Sequence, residues 1–366
     1  MINPSRLIKI FEKNKINSYS GVPDSVLKNF LSELSIKKKQ QHYVCVNEGS
    51  AVAFAIGNYL GSKKLGLVYL QNSGLGNAIN PIISIADKKV YSIPMILLIG
   101  WRGAPGLDDE PQHLRKGSIT IPLLKQLQIK YILLKDEKDF SKINSLITFS
   151  KKNKVPVAIL VKKNSFEKKI YKKEKIYNQL PRQYFLKKLL ESVKKRDNLI
   201  SSTGYTSREL YELRRKYNIK NGSDFYLVGG MGHTASVALG NSMAKKKSTT
   251  ICIDGDGSFL MHMGSLATAA YYGKKNFKYI LLNNYAHESV GGQKTNSQNI
   301  DMKLFSKSLG FKSYQTIKSK KNLENNLSNF LKNKGSIFLE VLINTESMDN
   351  LGRPKNLKNV IKNFIS

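Results

Sequence analysis

Apolar positions along the chain fall into short continuous runs separated by longer stretches of helical pattern. Through residues 1 to about 165 the runs are "HYVCVN", "LGLVYLQ", "PMILLIG", "KYILLK" and "PVAILV". Short, wholly apolar strands between helices belong to a parallel sheet covered on both faces. Residues 166–182, "FEKKIYKKEKIYNQLPR", are basic and turn-prone and read as a linker. From 183 the alternation restarts with "NLISSTG", "DFYLVGG", "TTICIDG", "FKYILLNN" and "SIFLEVLI". The pattern predicts an α/β chain of two doubly wound parallel-sheet domains, 1–165 and 183–366.

The halves echo each other. "AVAFAIGNYLGSKKLGLVYLQNSGLGN" runs small-residue helix, basic turn, strand, glycine loop. "ASVALGNSMAKKKSTTICIDGDGSF" has the same order, and "AIGN" in one answers "ALGN" in the other. Two related domains are expected, each offering a glycine loop at the carboxyl end of a strand, where such folds bind ligands.

Composition narrows the picture. With 366 residues, 41% of them hydrophobic, and with 18 Tyr and 15 Phe, the chain can bury two cores. The formal charge of +34 invites a nucleic-acid partner. The Lys residues lie in surface-like runs such as "IKKKQQ" and "VKKRDN", however, and no helix-turn-helix, RNP or zinc-finger pattern accompanies them. Neither nucleic acid nor membrane is therefore expected as a partner. Cys45 and Cys252 stand apart in apolar runs, which suits a reducing cytoplasm. The N-terminus lacks the apolar core of a signal peptide, and no apolar stretch approaches about 20 residues.

The chemistry centres on "VGGMGHTASVALGNSMAKKKSTTICIDGDGSF". Gly230-Met231-Gly232-His233-Thr234-Ala235 fits the G-x-G-x-x-[GA] dinucleotide fingerprint, with Asp254 near the distance of a ribose-binding carboxylate. That pattern alone admits an NAD-dependent dehydrogenase. A second cluster, Gly255-Asp256-Gly257-Ser258, follows strand "TTICID" and opens a helix, which suits a phosphate. The next strand ends in Asn283-Asn284. Adjacent parallel strands end side by side, so the Asp256 carboxylate and an Asn amide can converge as oxygen ligands for a hard cation such as Mg2+. Read singly, Asp256 would be a helix cap and the asparagines a turn.

Gly255-Asp256-Gly257 followed by Asn283-Asn284 resembles the diphosphate and metal motif of thiamine-diphosphate-dependent enzymes, and "VNEGSAVAFAIGNYL" resembles the glutamate-bearing junction of their pyrimidine-binding domain. More narrowly, "GVPDSVLKNF", "VYLQNSGLGNAINPIISIAD", "YSIPMILLIGWRGAPGLDDEPQH" and "LLNNYAHESVGGQKT" resemble the phosphonopyruvate decarboxylase family of 2-oxo acid decarboxylases. Sulfopyruvate decarboxylases share parts of the pattern.

The resemblance implies decarboxylation of 3-phosphonopyruvate to phosphonoacetaldehyde and CO2 in phosphonate biosynthesis, with thiamine diphosphate and Mg2+, in a homo-oligomer with active sites at the interface. It implies that Glu48 bonds the pyrimidine ring and favours the imino tautomer that takes the C2 proton. By its position alone, Glu48 is also an acidic residue favoured by a helix dipole. Asp256, Asn284 and the carbonyl of Ala286 would hold the metal, with Asn283 as the alternative to Asn284. Gly257 and Ser258 would hold diphosphate oxygens. Gly229 to Gly232 would face the aminopyrimidine, with Met231 as the wedge that bends the cofactor; a gap-filling core Met is the other reading. Asp24, His113 and His287 would handle protons, and Asp24, Arg102, His113 and Glu288 would meet the substrate, Arg102 as a fork for a dianion.

Overall fold

The structure is a computed structural model and describes residues 1–168, 179–273, 275–354 and 356–365. The chain divides into two compact units, residues 1–173 with 290–293 and residues 174–289 with 294–366. Of the expected linker, residues 169–178 lie outside the described residues. On either side of them, Phe166 is buried in the first core and Leu180 in the second.

In the first unit six parallel strands form one sheet: β1 (Tyr19–Gly21), β2 (His42–Val44), β3 (Gly66–Gln71), β4 (Met95–Trp101), β5 (Lys130–Leu134) and β6 (Pro156–Lys162), in the order β2-β1-β3-β4-β6-β5. The continuous apolar runs follow from burial on both faces. Along β4, Ile96 and Leu98 enter one core while Met95, Leu97, Ile99 and Trp101 enter the other. This is the two-residue period of a strand.

The second unit carries β7 (Asn198–Ser201), β8 (Ser223–Tyr226), β9 (Thr250–Gly255), β10 (Phe277–Asn283), β11 (Ser313–Ile317) and β12 (Ile337–Leu342), also all parallel, in the order β11-β12-β10-β9-β7-β8. Counted from its own first strand and read from the other edge, this is the order of the first sheet. The expected doubly wound α/β fold is present in both halves. The echo extends to the helices: "AIGN" lies in the helix Glu48–Ser62 before β3, and "ALGN" in the helix Thr234–Ala244 before β9.

Those two helices carry the site loops. The first is capped by Asn47, whose Oδ1 accepts the Ser50 N–H at 2.8 Å, and stops at Lys63 in the left-handed region. In both sheets the first and third strands are neighbours, and the chain leaves them toward opposite edges. This is the switch point at which ligands enter such folds.

Candidate active site

In the first unit Glu48 opens its helix at the carboxyl end of the sheet and is 5% exposed. Its Oε2 accepts from Asn77 Nδ2 at 2.8 Å. Its Oε1 accepts no hydrogen bond among the described residues. Gly74 makes room for it, since a Cβ there would collide with the Glu48 carboxyl group.

Asp24, in the loop after β1, is buried. Its Oδ2 accepts the backbone N–H groups of Val26 and Leu27 at 3.0 and 3.2 Å, and its Oδ1 accepts Gln71 Nε2 at 2.6 Å. Burial pushes its pKa up and those hydrogen bonds only partly oppose this. Gly100, at the end of β4, is again the residue without which Asp24 would not fit.

Arg102 follows β4. Its Nε and Nη2 grip both oxygens of Asp109, and Nη1 reaches Ser25 Oγ at 3.2 Å. Burial raises the Asp109 carboxyl, but Arg102 and two backbone N–H donors outweigh it and hold it well below the usual range. His113 lies half-buried in the first turn of the helix Pro111–Gln126, where its carbonyl packs on Gly103.

In the second unit β9 and β10 are adjacent, with Leu282 opposite Gly255, so the next residues of each strand emerge together. Asp256 is 4% exposed and begins the helix Asp256–Met261. Its Oδ2 accepts Thr295 Oγ1 at 2.5 Å and Ser297 Oγ at 3.3 Å. Burial pushes its pKa up to about 6.

The two asparagines have separate duties. Asn283 is fully buried; its Nδ2 donates to Glu340 at 2.8 Å, and its Oδ1 accepts Ser297 Oγ at 3.0 Å. Asn284 donates through Nδ2 to Glu288 at 2.9 Å, while its Oδ1 takes the Ala286 N–H at 3.1 Å. Between Asn284 and Ala286 sits Tyr285, with φ of 59° in the left-handed region, which turns the loop sharply at a cost of about 1 kcal/mol.

Gly232 N–H donates to Ser258 Oγ at 3.0 Å, joining the loop after β8 to the helix after β9. Gly230 and Gly232 have φ of 66° and 89°, and a side chain at Gly232 would collide with His262. A Cβ at Gly257 would meet both the His287 ring and the Met231 methyl, so those three residues line one spot. Burial lowers the His287 pKa to about 4. Asp254, the candidate ribose ligand, is 2% exposed and bonded to Tyr279 and the Gly255 N–H. It is enclosed in the fold and cannot reach a nucleotide.

Sequence reasoning did not single out Gly74, Asn77, Thr295, Ser297 or Arg182. Asn77 carries the faintest signal, an amide in the glycine loop "SGLGN" of the first half; the hydroxyls of "KTNSQN" look like any polar loop until the fold brings them under Asp256.

Among the described residues no helix is long and apolar enough to cross a membrane. Residues 5–132 match the thiamine pyrophosphate enzyme, N-terminal TPP binding domain, and residues 202–341 match the thiamine pyrophosphate enzyme, C-terminal TPP binding domain. Two parallel-sheet units with these matches define a thiamine-pyrophosphate-dependent enzyme. The chain is 30% identical to phosphonopyruvate decarboxylase of Streptomyces viridochromogenes, over 97% of this chain and 92% of that one. It is also 30% identical to phosphonopyruvate decarboxylase of Streptomyces hygroscopicus, over 97% and 91%. To sulfopyruvate decarboxylase of Methanosarcina acetivorans it is 25% identical over 100% and 97%. The chain belongs to the phosphonopyruvate decarboxylase family, whose members are thiamine-diphosphate-dependent carboxy-lyases.

Proposed function

We propose that the chain decarboxylates 3-phosphonopyruvate to phosphonoacetaldehyde and CO2, with thiamine diphosphate anchored through Mg2+, as a step of phosphonate biosynthesis in the cytoplasm. The observation that carries the reading is likeness along nearly the whole chain to two phosphonopyruvate decarboxylases. The full-length but weaker likeness to a sulfopyruvate decarboxylase keeps sulfopyruvate as the second reading. Two free cysteines, Cys45 and Cys252, suit the reducing compartment.

Bound thiamine diphosphate supplies a carbon nucleophile for the 2-oxo group and an electron sink for the departing CO2. The donors present fit Mg2+ as its anchor. Asp256 gives a carboxylate, Asn284 an amide oxygen and Ala286 a carbonyl, the all-oxygen set a hard cation prefers. Asn284 is favoured over Asn283 because the Asn283 Oδ1 already takes two donors, Ser297 Oγ at 3.0 Å and the Tyr285 N–H at 3.4 Å, whereas the Asn284 Oδ1 takes one. Gly257 and Ser258 would contact the diphosphate, while Gly229 and Met231 would face the pyrimidine side. Glu48 would hold a ring nitrogen through the Oε1 that Asn77 leaves open.

Asp24 and His113 would exchange protons with the reacting acid, as would His287, which burial keeps neutral with its pKa lowered to about 4. Arg102 would turn Nη1 from Ser25 to the phosphonate, its Nε and Nη2 being held by Asp109. A single cofactor needs Glu48 from the first unit and Asp256 from the second, and the reading draws them from two chains of a homo-oligomer.

Release of CO2 from 3-phosphonopyruvate and sulfopyruvate, assayed side by side with thiamine diphosphate and Mg2+, tests the proposal. The phosphonate should be preferred in kcat/KM by about tenfold or more. Faster turnover of the sulfonate would transfer the assignment to the second reading.

A further inference from the structure

We infer that Arg182 and Glu288 form a positioning pair that decides which side of the Asn284 amide faces the cation, an inference that rests on reading Asn284 as a Mg2+ ligand. Arg182 opens the helix Arg182–Ser192 and is 4% exposed. Its Nη1 and Nη2 donate to one oxygen of Glu288, Oε2, at 3.2 and 2.9 Å. Its Nε donates to Glu209 Oε2 at 3.2 Å, and Nη2 also donates to the Glu346 carbonyl at 2.6 Å. The guanidinium stands over the Tyr205 ring, 5.5 Å from its centre. Glu209 is fully buried, and its other oxygen accepts the Met348 N–H at 3.2 Å. Arg182 is thus fixed from four directions and holds Glu288 in one place.

The same Glu288 oxygen accepts the Asn284 Nδ2 group at 2.9 Å. An ionised carboxylate has acceptors and no donors, so it admits only the NH2 side of an amide. The Asn284 Oδ1 must then point the other way. There it takes one N–H, from Ala286, and keeps a lone pair for a cation. Without the carboxylate only the Ala286 N–H would hold the amide, and a turned amide would present its NH2 group, which a divalent cation cannot use. Stability is a poor explanation for the arrangement, because a buried ion pair often contributes less than well-packed apolar residues would. Glu288 therefore acts through Asn284, and Arg182 acts through Glu288.

Mn2+ binding to the full-length protein with saturating thiamine diphosphate, followed by electron paramagnetic resonance well below each variant's Tm, tests this. Glu288→Leu removes the acceptor and should raise the Mn2+ Kd by about tenfold or more. Glu288→Gln, whose carbonyl Arg182 still turns toward Asn284, should stay within about threefold of the parent. If Glu288→Leu does not fold, Arg182→Lys keeps the charge but loses the two-nitrogen grip, and should raise the Kd several-fold. A merely structural role would lower Tm and leave the Kd of the folded protein unchanged. An unchanged Kd in Glu288→Leu, or in Arg182→Lys where that variant stands in, overturns the inference, provided Asp256→Ala abolishes binding. If Asp256→Ala binds Mn2+ as the parent does, the metal assignment itself is wrong and the inference goes with it.

Discussion

Glu48 and Gly74 are one unit at the scale of single residues. The glutamate can occupy its place only because the residue facing it has no side chain. Gly74→Ala should displace the carboxylate, cost about 1–3 kcal/mol in stability through overpacking, and abolish most turnover. Glu48→Ala in the same chain should return most of the stability and none of the activity, which a urea-unfolding double-mutant cycle with a CO2 assay will show. Glu48→Gln keeps the volume and should fold normally while C2-proton exchange in the bound cofactor stops; near-normal turnover there would remove Glu48 from its proposed role. The glutamate was legible in "VNEGS" because a carboxylate at a strand-to-helix junction is a local feature. The glycine and Asn77 were not, because their meaning lies in a contact across two helices.

A second residue sets a pH dependence outside the site. His42 lies between Ser35 at 3.1 Å and the buried Tyr69 hydroxyl at 2.8 Å, and burial lowers its pKa from 6.5 to about 4. Folding favours the neutral ring. That contribution is full above about 6.5 and is lost as pH falls toward about 4. In the cofactor-free protein Asp254 and Asp256, raised to about 6, act in the opposite sense, stabilising most below about 4 and losing the contribution as pH rises through about 6. The His42 effect is therefore read as a difference. The stability gap between parent and His42→Gln should narrow as urea titrations move from about pH 7 to about pH 4.5. A gap that does not change would mean that His42 titrates normally.

At the scale of elements, ten of the twelve strands were legible as apolar runs, and β1 and β11 were not. The runs at β3, β4, β6, β9 and β10 stand out because both faces are buried. β1 is three residues, "YSG", too short to show a period. β11, "SYQTI", lies at the sheet edge with most residues only partly buried, so its composition is that of a loop. The convergence of Asp256 with the asparagine pair was legible for a reason of elements, since consecutive strands of such a sheet are commonly neighbours and end together. What supports Asp256 was not. Thr295 and Ser297 come from a loop beyond β10, and no periodicity announces where a loop returns. The fingerprint at Gly230 to Ala235 was misleading for a related reason. Glycines with positive φ serve any tight strand-to-helix turn, and only the enclosure of Asp254 removes the nucleotide reading.

At the scale of the whole molecule the repeated strand order explains the repeated sequence. In each unit the helices flanking the third strand carry exposed apolar side chains. Around Glu48–Ser62 and the turns after β3 these are Phe54, Leu60, Ile83 and Tyr91; on Thr234–Ala244 and Ser265–Tyr272 they are Val237, Met243, Tyr271 and Tyr272. Apolar surface of this kind on two matching helical layers suits self-association, and the +34 charge opposes it. Association should therefore strengthen with salt, as screening removes repulsion and leaves the apolar contact. Sedimentation at rising ionic strength should show a homodimer or larger species, and a monomer at all salt concentrations would contradict the reading. The same experiment extends to the sites. Glu48→Gln chains and Asp256→Ala chains should each be inactive. Mixed under conditions of demonstrated exchange, they should form hybrids with one doubly damaged site and one intact site, and activity should return. If exchange occurs without recovery, Glu48 and Asp256 of each site belong to one chain.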